Sequence, residues 1–134
     1  MKEIEFILGN GGTYTNQLSS VGTGLFGNKY AGTFSSDTVP KLTKSSPYAI
    51  SNVDNSKQPG SHWISLCHTP KGILIYDSFG RHTRKLTPLI WKKFKTLDSD
   101  RDKEQALKEE NCGARCISWL KVCESHGWEN AKKI

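Results

Sequence analysis

The chain has 134 residues, with 19 Lys or Arg against 13 Asp or Glu and a formal charge of +6. That length suits one domain, 1–134, with a hydrophobic core that needs no disulfide or metal staples. No apolar run approaches the length of a membrane span, and "MKEIEFILGN" has two acids and no clean apolar stretch of the secretory kind, so the expected setting is soluble and intracellular.

Residues 1 to 61 are rich in Gly, Ser, Thr and Asn. "MKEIEFIL" reads as a short strand or a first helical turn, and "GNGGTYTN" and "GLFGNKYAGTF" as turns and loops. "SPYAISNVD" has a short apolar centre able to pair into a sheet. The pattern sharpens at "HWISLCH" and "GILIYDSF", two strand-length apolar segments joined by "TPKG". Pro70 presets the second turn position and Gly72 can take a positive φ, which predicts an antiparallel hairpin at the sheet centre. "LTPLIWKKFKTL" reads as an amphipathic helix capped by Thr87, with Pro88 in its first turn and Ile90, Phe94 and Leu97 on one face. "DSDRDKE" reads as an exposed connection. A last helix is expected from Cys112 to about Ser125, stopped by Gly127.

Three of the four cysteines (67, 112, 116 and 123) fall on or at that last helix. Cys112 and Cys116 are one turn apart, where a disulfide fits poorly, and all four are expected to be reduced. With His126 they form a C-x3-C-x6-C-x2-H string, but one helix cannot wrap four ligands around a single tetrahedral ion, so no metal site is expected. Cys116 and Cys123 read as core with Ile117 and Leu120; Tyr76, Phe79 and Trp119 read as core or cleft wall. His68, His82 and His126 read as surface residues.

Cys112 differs because it stands at the helix start, where unpaired backbone N–H groups and the positive dipole end favour a thiolate. Gly113 leaves room beside it for a substrate carbonyl. The hairpin can supply a base. If "TPKG" turns tightly, facing positions sum to about 139 or 141. The first register sets His62 opposite Asp77 and the second sets it one diagonal step away; both keep the two on one face, whereas a shift of one residue would separate them. A carboxylate beside an imidazole fixes its tautomer and stabilises its charged form. For a tetrahedral oxyanion, the backbone N–H of Cys112 is one donor, and Gln105, seven positions upstream, is a candidate second.

In this order, "SHWISL", "LIYDSFGR", Gln105 and "NCGARC" resemble the adenovirus-type (adenain-like) cysteine endopeptidases, relatives of the SUMO and ubiquitin-like-modifier proteases. The likeness spans about residues 47 to 123, with a fainter echo in "GLFGNKYAGTF". It implies an α+β, papain-like fold in which a central, mostly antiparallel sheet packs against the helix bearing the nucleophile. It also implies roles: His62 as base and then acid, Asp77 as its orienting partner, Cys112 as nucleophile and Gln105 as oxyanion donor. Trp63 and Gly113 would line the substrate cleft. The substrates implied are viral capsid or core precursor polypeptides cut near glycines, in the virion and in the nucleus or cytoplasmic factory of an infected cell. The alternatives are an isopeptidase that removes a ubiquitin-like modifier and an inactive, basic nucleic-acid-binding module.

The chemistry requires no cofactor, but the resembled enzymes take DNA and a short peptide as activators. The acid-free basic stretch Arg81, Arg84, Lys85, Lys92, Lys93 and Lys95 suits a polyanion such as DNA, although an exposed charge run is ordinarily just a solvated face. No cysteine lies between 68 and 111, where the adenovirus enzyme carries the thiol that bonds its peptide, so covalent peptide activation is not expected. The expected state is a monomer.

Overall fold

Alternation along the middle of the chain sets the architecture. In the computed structural model, which describes residues 15–58, 62–100 and 112–134, five strands form one sheet in chain order. They are β1 (Tyr30–Phe34), β2 (Tyr48–Asn52), β3 (Trp63–Thr69), β4 (Gly72–Tyr76) and β5 (Thr96–Asp98). Successive side chains of a strand point to opposite faces. On one face Tyr48, Ile50, Cys67, Leu74 and Tyr76 join a core with three helices, α1 (Thr15–Phe26), α4 (Cys112–His126) and α5 (Trp128–Lys132). On the other, Ala49, Ile64, Leu66, Ile73 and Ile75 pack with Val39, Leu42 and Ile90. Ile90 belongs to α3 (Pro88–Lys93), which follows the single turn α2 (Thr83–Leu86). The fold is α+β, with β3 at the centre and both faces covered.

The β3–β4 hairpin forms as the turn chemistry predicts. Thr69 pairs with Gly72 across Pro70 and Lys71, and Gly72 has φ +130°. Gly72 is required for space as well, since a Cβ there would lie 2.6 Å from the Lys95 carbonyl oxygen. That oxygen accepts the Ile73 N–H at 2.8 Å, where β5 begins to run alongside β4.

Four expectations are corrected. The sheet is mixed: β2–β3 and β3–β4 are antiparallel, but the outer pairs β1–β2 and β4–β5 are parallel. Of the stretches expected to be turns and loops, residues 15–16 and 24–34 instead belong to α1, a short 3₁₀ turn and β1. The helical signal of α1 is weak because Gly22 and Gly24 dilute it, while tertiary packing of Leu18, Gly22 and Phe26 supplies the stability. The helix expected through Leu97 stops at Lys93, and Thr96–Asp98 form an edge strand that satisfies β4; within it, Asp98 leaves the connection expected at 98–104. Thr87 precedes Pro88, but its hydroxyl donates to the Thr83 carbonyl at 2.9 Å instead of capping α3.

The last helix starts at Cys112 as expected and ends at His126, with Gly127 at φ +86°. The chain then continues into α5, whose Ala131 carbonyl accepts the Trp119 indole N–H at 2.9 Å. Cys116, Ile117, Trp119, Leu120, Cys123 and Tyr76 are buried. Phe79 and His68 are half-buried, and His82 and His126 are exposed. The expectation for "MKEIEFIL" lies outside the described residues.

Candidate active site

The hairpin register is the second of the two expected. Ser65 faces Tyr76 and Thr69 faces Gly72, so facing positions sum to 141. Carried beyond the last pair, this register sets His62 opposite Phe79 and one diagonal step from Asp77. Both contacts are made. His62 Nε2 lies 2.6 Å from Asp77 Oδ1, with both side chains buried. The His62 and Phe79 rings stack at 4.5 Å between centroids and 15° between planes.

Asp77 is placed by the turn that follows β4. The Gly80 N–H returns to the Asp77 carbonyl at 2.9 Å, and Gly80 takes φ +69° to close that turn. The chain then doubles back, so the Arg81 backbone N–H reaches Asp77 Oδ2 at 3.0 Å and the Arg81 Nε reaches the same oxygen at 2.9 Å. This cluster explains how an aspartate can be buried beside the sheet end: every close partner is a donor.

Cys112 is brought to the same corner by how α4 lies on β3. The two elements run in the same direction, because Ser65 Oγ donates to the Cys116 carbonyl at 3.0 Å while further along Cys67 meets Cys123. Four helical residues rise about 6 Å and two strand residues about 6.6 Å. One turn back from Cys116 therefore matches two residues back from Ser65. At that point the Cys112 sulfur hydrogen-bonds the His62 ring and receives the backbone N–H groups of Trp63 and Gly113.

Electrostatics separate Cys112 from the two other thiols of its helix. Burial opposes charge on Cys112, but the hydrogen bond to His62, its charge and the two backbone N–H groups prevail and hold the thiol below its ordinary range. Burial likewise opposes a charged His62, yet the hydrogen bonds to Asp77 and Cys112 raise the ring above its usual value. Asp77 is pushed up by burial and pulled further down by the hydrogen bonds from His62 and Arg81, to about 2. An ionised carboxylate only accepts, so Nε2 carries a hydrogen and Nδ1 is the ring nitrogen left for sulfur. One turn along, burial drives Cys116 well up. The contact with Cys67, followed by burial, drives Cys123 up. All four cysteines are free thiols, and Cys112 alone is not fully buried.

Of the remaining expected site residues, Trp63 is half-buried beside His62 and Gly113 is buried in the first turn of α4. Gln105 lies outside the described residues. Arg84, Lys85, Lys92, Lys93 and Lys95 are exposed around α2 and α3. Arg84 also lies over the Trp91 ring at 5.2 Å, and the Lys93 ammonium donates to the Val39 carbonyl at 2.8 Å. Arg81 is a correction to the expected basic surface, because its charge is taken up by Asp77. Its spacing four residues after Asp77 across a glycine turn was the signal that sequence reading passed over.

Among the described residues, no three His, Cys, Asp or Glu side chains converge on a metal-sized site. Among the same residues, no helix is long and apolar enough to cross a membrane. No protein-family model matches the chain, and comparison with curated proteins finds no match.

Proposed function

We propose that the protein is a cysteine endopeptidase with a papain-like arrangement of the adenovirus type. The observation that carries this reading is the meeting of Cys112, His62 and Asp77, from a helix start and two strand ends, in one hydrogen-bonded chain. The Cys112 thiolate attacks a peptide carbonyl carbon, and the carbonyl π pair moves to oxygen. The backbone N–H of Cys112 faces that oxyanion, and Gln105 serves as the second donor. As the tetrahedral species collapses, the C–N bond breaks and imidazolium His62 gives its Nδ1 proton to the leaving amine. His62 then takes a proton from water, whose oxygen attacks the thioester carbon and releases the acid and the Cys112 sulfur. Asp77 keeps its charge throughout and holds Nε2.

The substrates proposed are viral precursor polypeptides cut near glycines, processed in the virion or the infected cell. The five exposed basic residues of 84–95 support DNA as an activating polyanion. The test combines a peptide-aldehyde probe, read by mass spectrometry, with hydrolysis of Gly-containing capsid-precursor peptides and of a Gly-Gly-linked modifier. Adduct formation on Cys112 with cleavage of the precursor peptides is the expected result. Cleavage of the modifier alone makes the protein an isopeptidase. No adduct on Cys112 in folded protein overturns the enzyme reading, leaving a basic binding module whose affinity for DNA falls steeply with salt.

A further inference from the structure

Three donors of Arg81 converge on one carboxylate. Its backbone N–H and Nε reach Asp77 Oδ2 at 3.0 and 2.9 Å, and Nη2 reaches Oδ1 at 3.4 Å. Oδ1 is also the oxygen that holds His62 Nε2 at 2.6 Å. The guanidinium carbon lies 4.7 Å from the centroid of Phe79, the ring that stacks on His62. One side chain therefore touches both supports of the imidazole, the carboxylate at its edge and the phenyl ring at its face.

We propose that Arg81 is a positioning residue that aligns the His62 ring for Cys112 by fixing the rotation of the Asp77 carboxylate and bracing Phe79. This rests on the reading of His62 as the base for Cys112. A carboxylate turns broadly about its last torsion, so a single bond to Nε2 leaves Oδ1 free to swing. Two donors on Oδ2 and one on Oδ1 remove that freedom. A hydrogen bond at one ring nitrogen also leaves the imidazole free to rock about that bond, and the face of Phe79 opposes the rocking. The geometry calls for a planar fork, which lysine lacks. The Arg81 side chain is 38% exposed while the carboxylate it holds is buried, so the effect on the His62 ring is read directly rather than from stability.

The test uses the full chain as wild type, Arg81→Gln and Arg81→Lys, with ¹⁵N-labelled histidine. NMR reads the His62 Nε2–H signal, and mass spectrometry follows Cys112 alkylation by iodoacetamide at neutral pH. In both variants the Nε2–H proton should exchange faster with water, and Cys112 should react about tenfold more slowly than in wild type. An unchanged His62 signal in Arg81→Gln, or wild-type behaviour of Arg81→Lys in both readouts, overturns the proposal. If the signal shifts in the variants while wild-type Cys112 reacts no faster than an unfolded thiol, the positioning role stands and the protease reading fails.

Discussion

Phe79 and His62 lie face to face three residues beyond the last pair of the β3–β4 ladder, at 4.5 Å between ring centroids. The register of the hairpin thus persists past its hydrogen bonds as a stack of side chains. Two aromatic rings in this arrangement contribute about 0.5–1.5 kcal/mol beyond their burial. Phe79→Ala should lower stability by roughly that amount plus the lost apolar contact, read from urea midpoints, and should slow Cys112 alkylation.

Thiol reactivity follows from burial. Iodoacetamide at neutral pH should label Cys112 in the folded protein, because Cys67, Cys116 and Cys123 are buried. In denaturant all four thiols should react. Equal labelling of all four under native conditions would contradict the placement of Cys112 at a half-open corner.

His62→Ala removes the foremost group lowering the Cys112 pKa. The thiol should then titrate at higher pH, and its alkylation rate near pH 7 should fall on the order of tenfold for each unit regained. Thiolate absorbance against pH, compared with wild type, checks the direction.

Asp77 makes stability depend on acid. Its carboxyl titrates at about 2 in the fold and at about 3.9 in an unfolded chain, a difference on the order of 2–3 kcal/mol. A depressed carboxyl stabilises above its unfolded value, and the contribution disappears as pH falls through about 2. His62, raised in the fold, stabilises fully below about 6.5 and loses its contribution as pH rises through its folded value. Both slopes come from one His62–Asp77 pair, so they are not independent energies. Urea midpoints from acid to mildly alkaline pH should show both slopes in wild type, and Asp77→Asn should flatten the acid one.

Two glycines of α1 should respond in opposite ways. A Cβ at Gly22 would sit 2.6 Å from the buried ring of Tyr30, whereas nothing lies within 4 Å of one at Gly24. Gly22→Ala should destabilise by about 1–3 kcal/mol through overpacking. Gly24→Ala should stabilise by up to about 1 kcal/mol through helix propensity. Thermal melts of the two variants give the comparison.

The hairpin, the last helix and the His62–Asp77 pair were legible because each depends on strong local chemistry, whereas Cys112 was joined to that pair through the ordered motifs of the family resemblance. Turn residues set the register, and alternating Ile and Leu set the faces of β3 and β4. The position of a thiol at a helix start could be read directly. What was missed depends on partners distant in the chain. Leu97 fits a helix face by spacing alone, and only the open side of β4 makes its segment a strand. The helix of residues 15–26 is stabilised by packing against residues such as Tyr30, which its own composition does not announce. Arg81 is the exception: its partner Asp77 is only four residues back across the Gly80 turn, and the charge was read with the basic run that follows instead of with that carboxylate.

The hydroxyl of Ser65 on the carbonyl of Cys116 keeps the helix in phase with the central strand. A single residue inserted between Cys112 and Cys116 would carry the sulfur through about 100° around the helix axis. The apolar seam below would be undisturbed. Such a chain would fold into a well-packed but chemically silent protein, its imidazole and carboxylate still paired and facing a backbone with no sulfur in front of them.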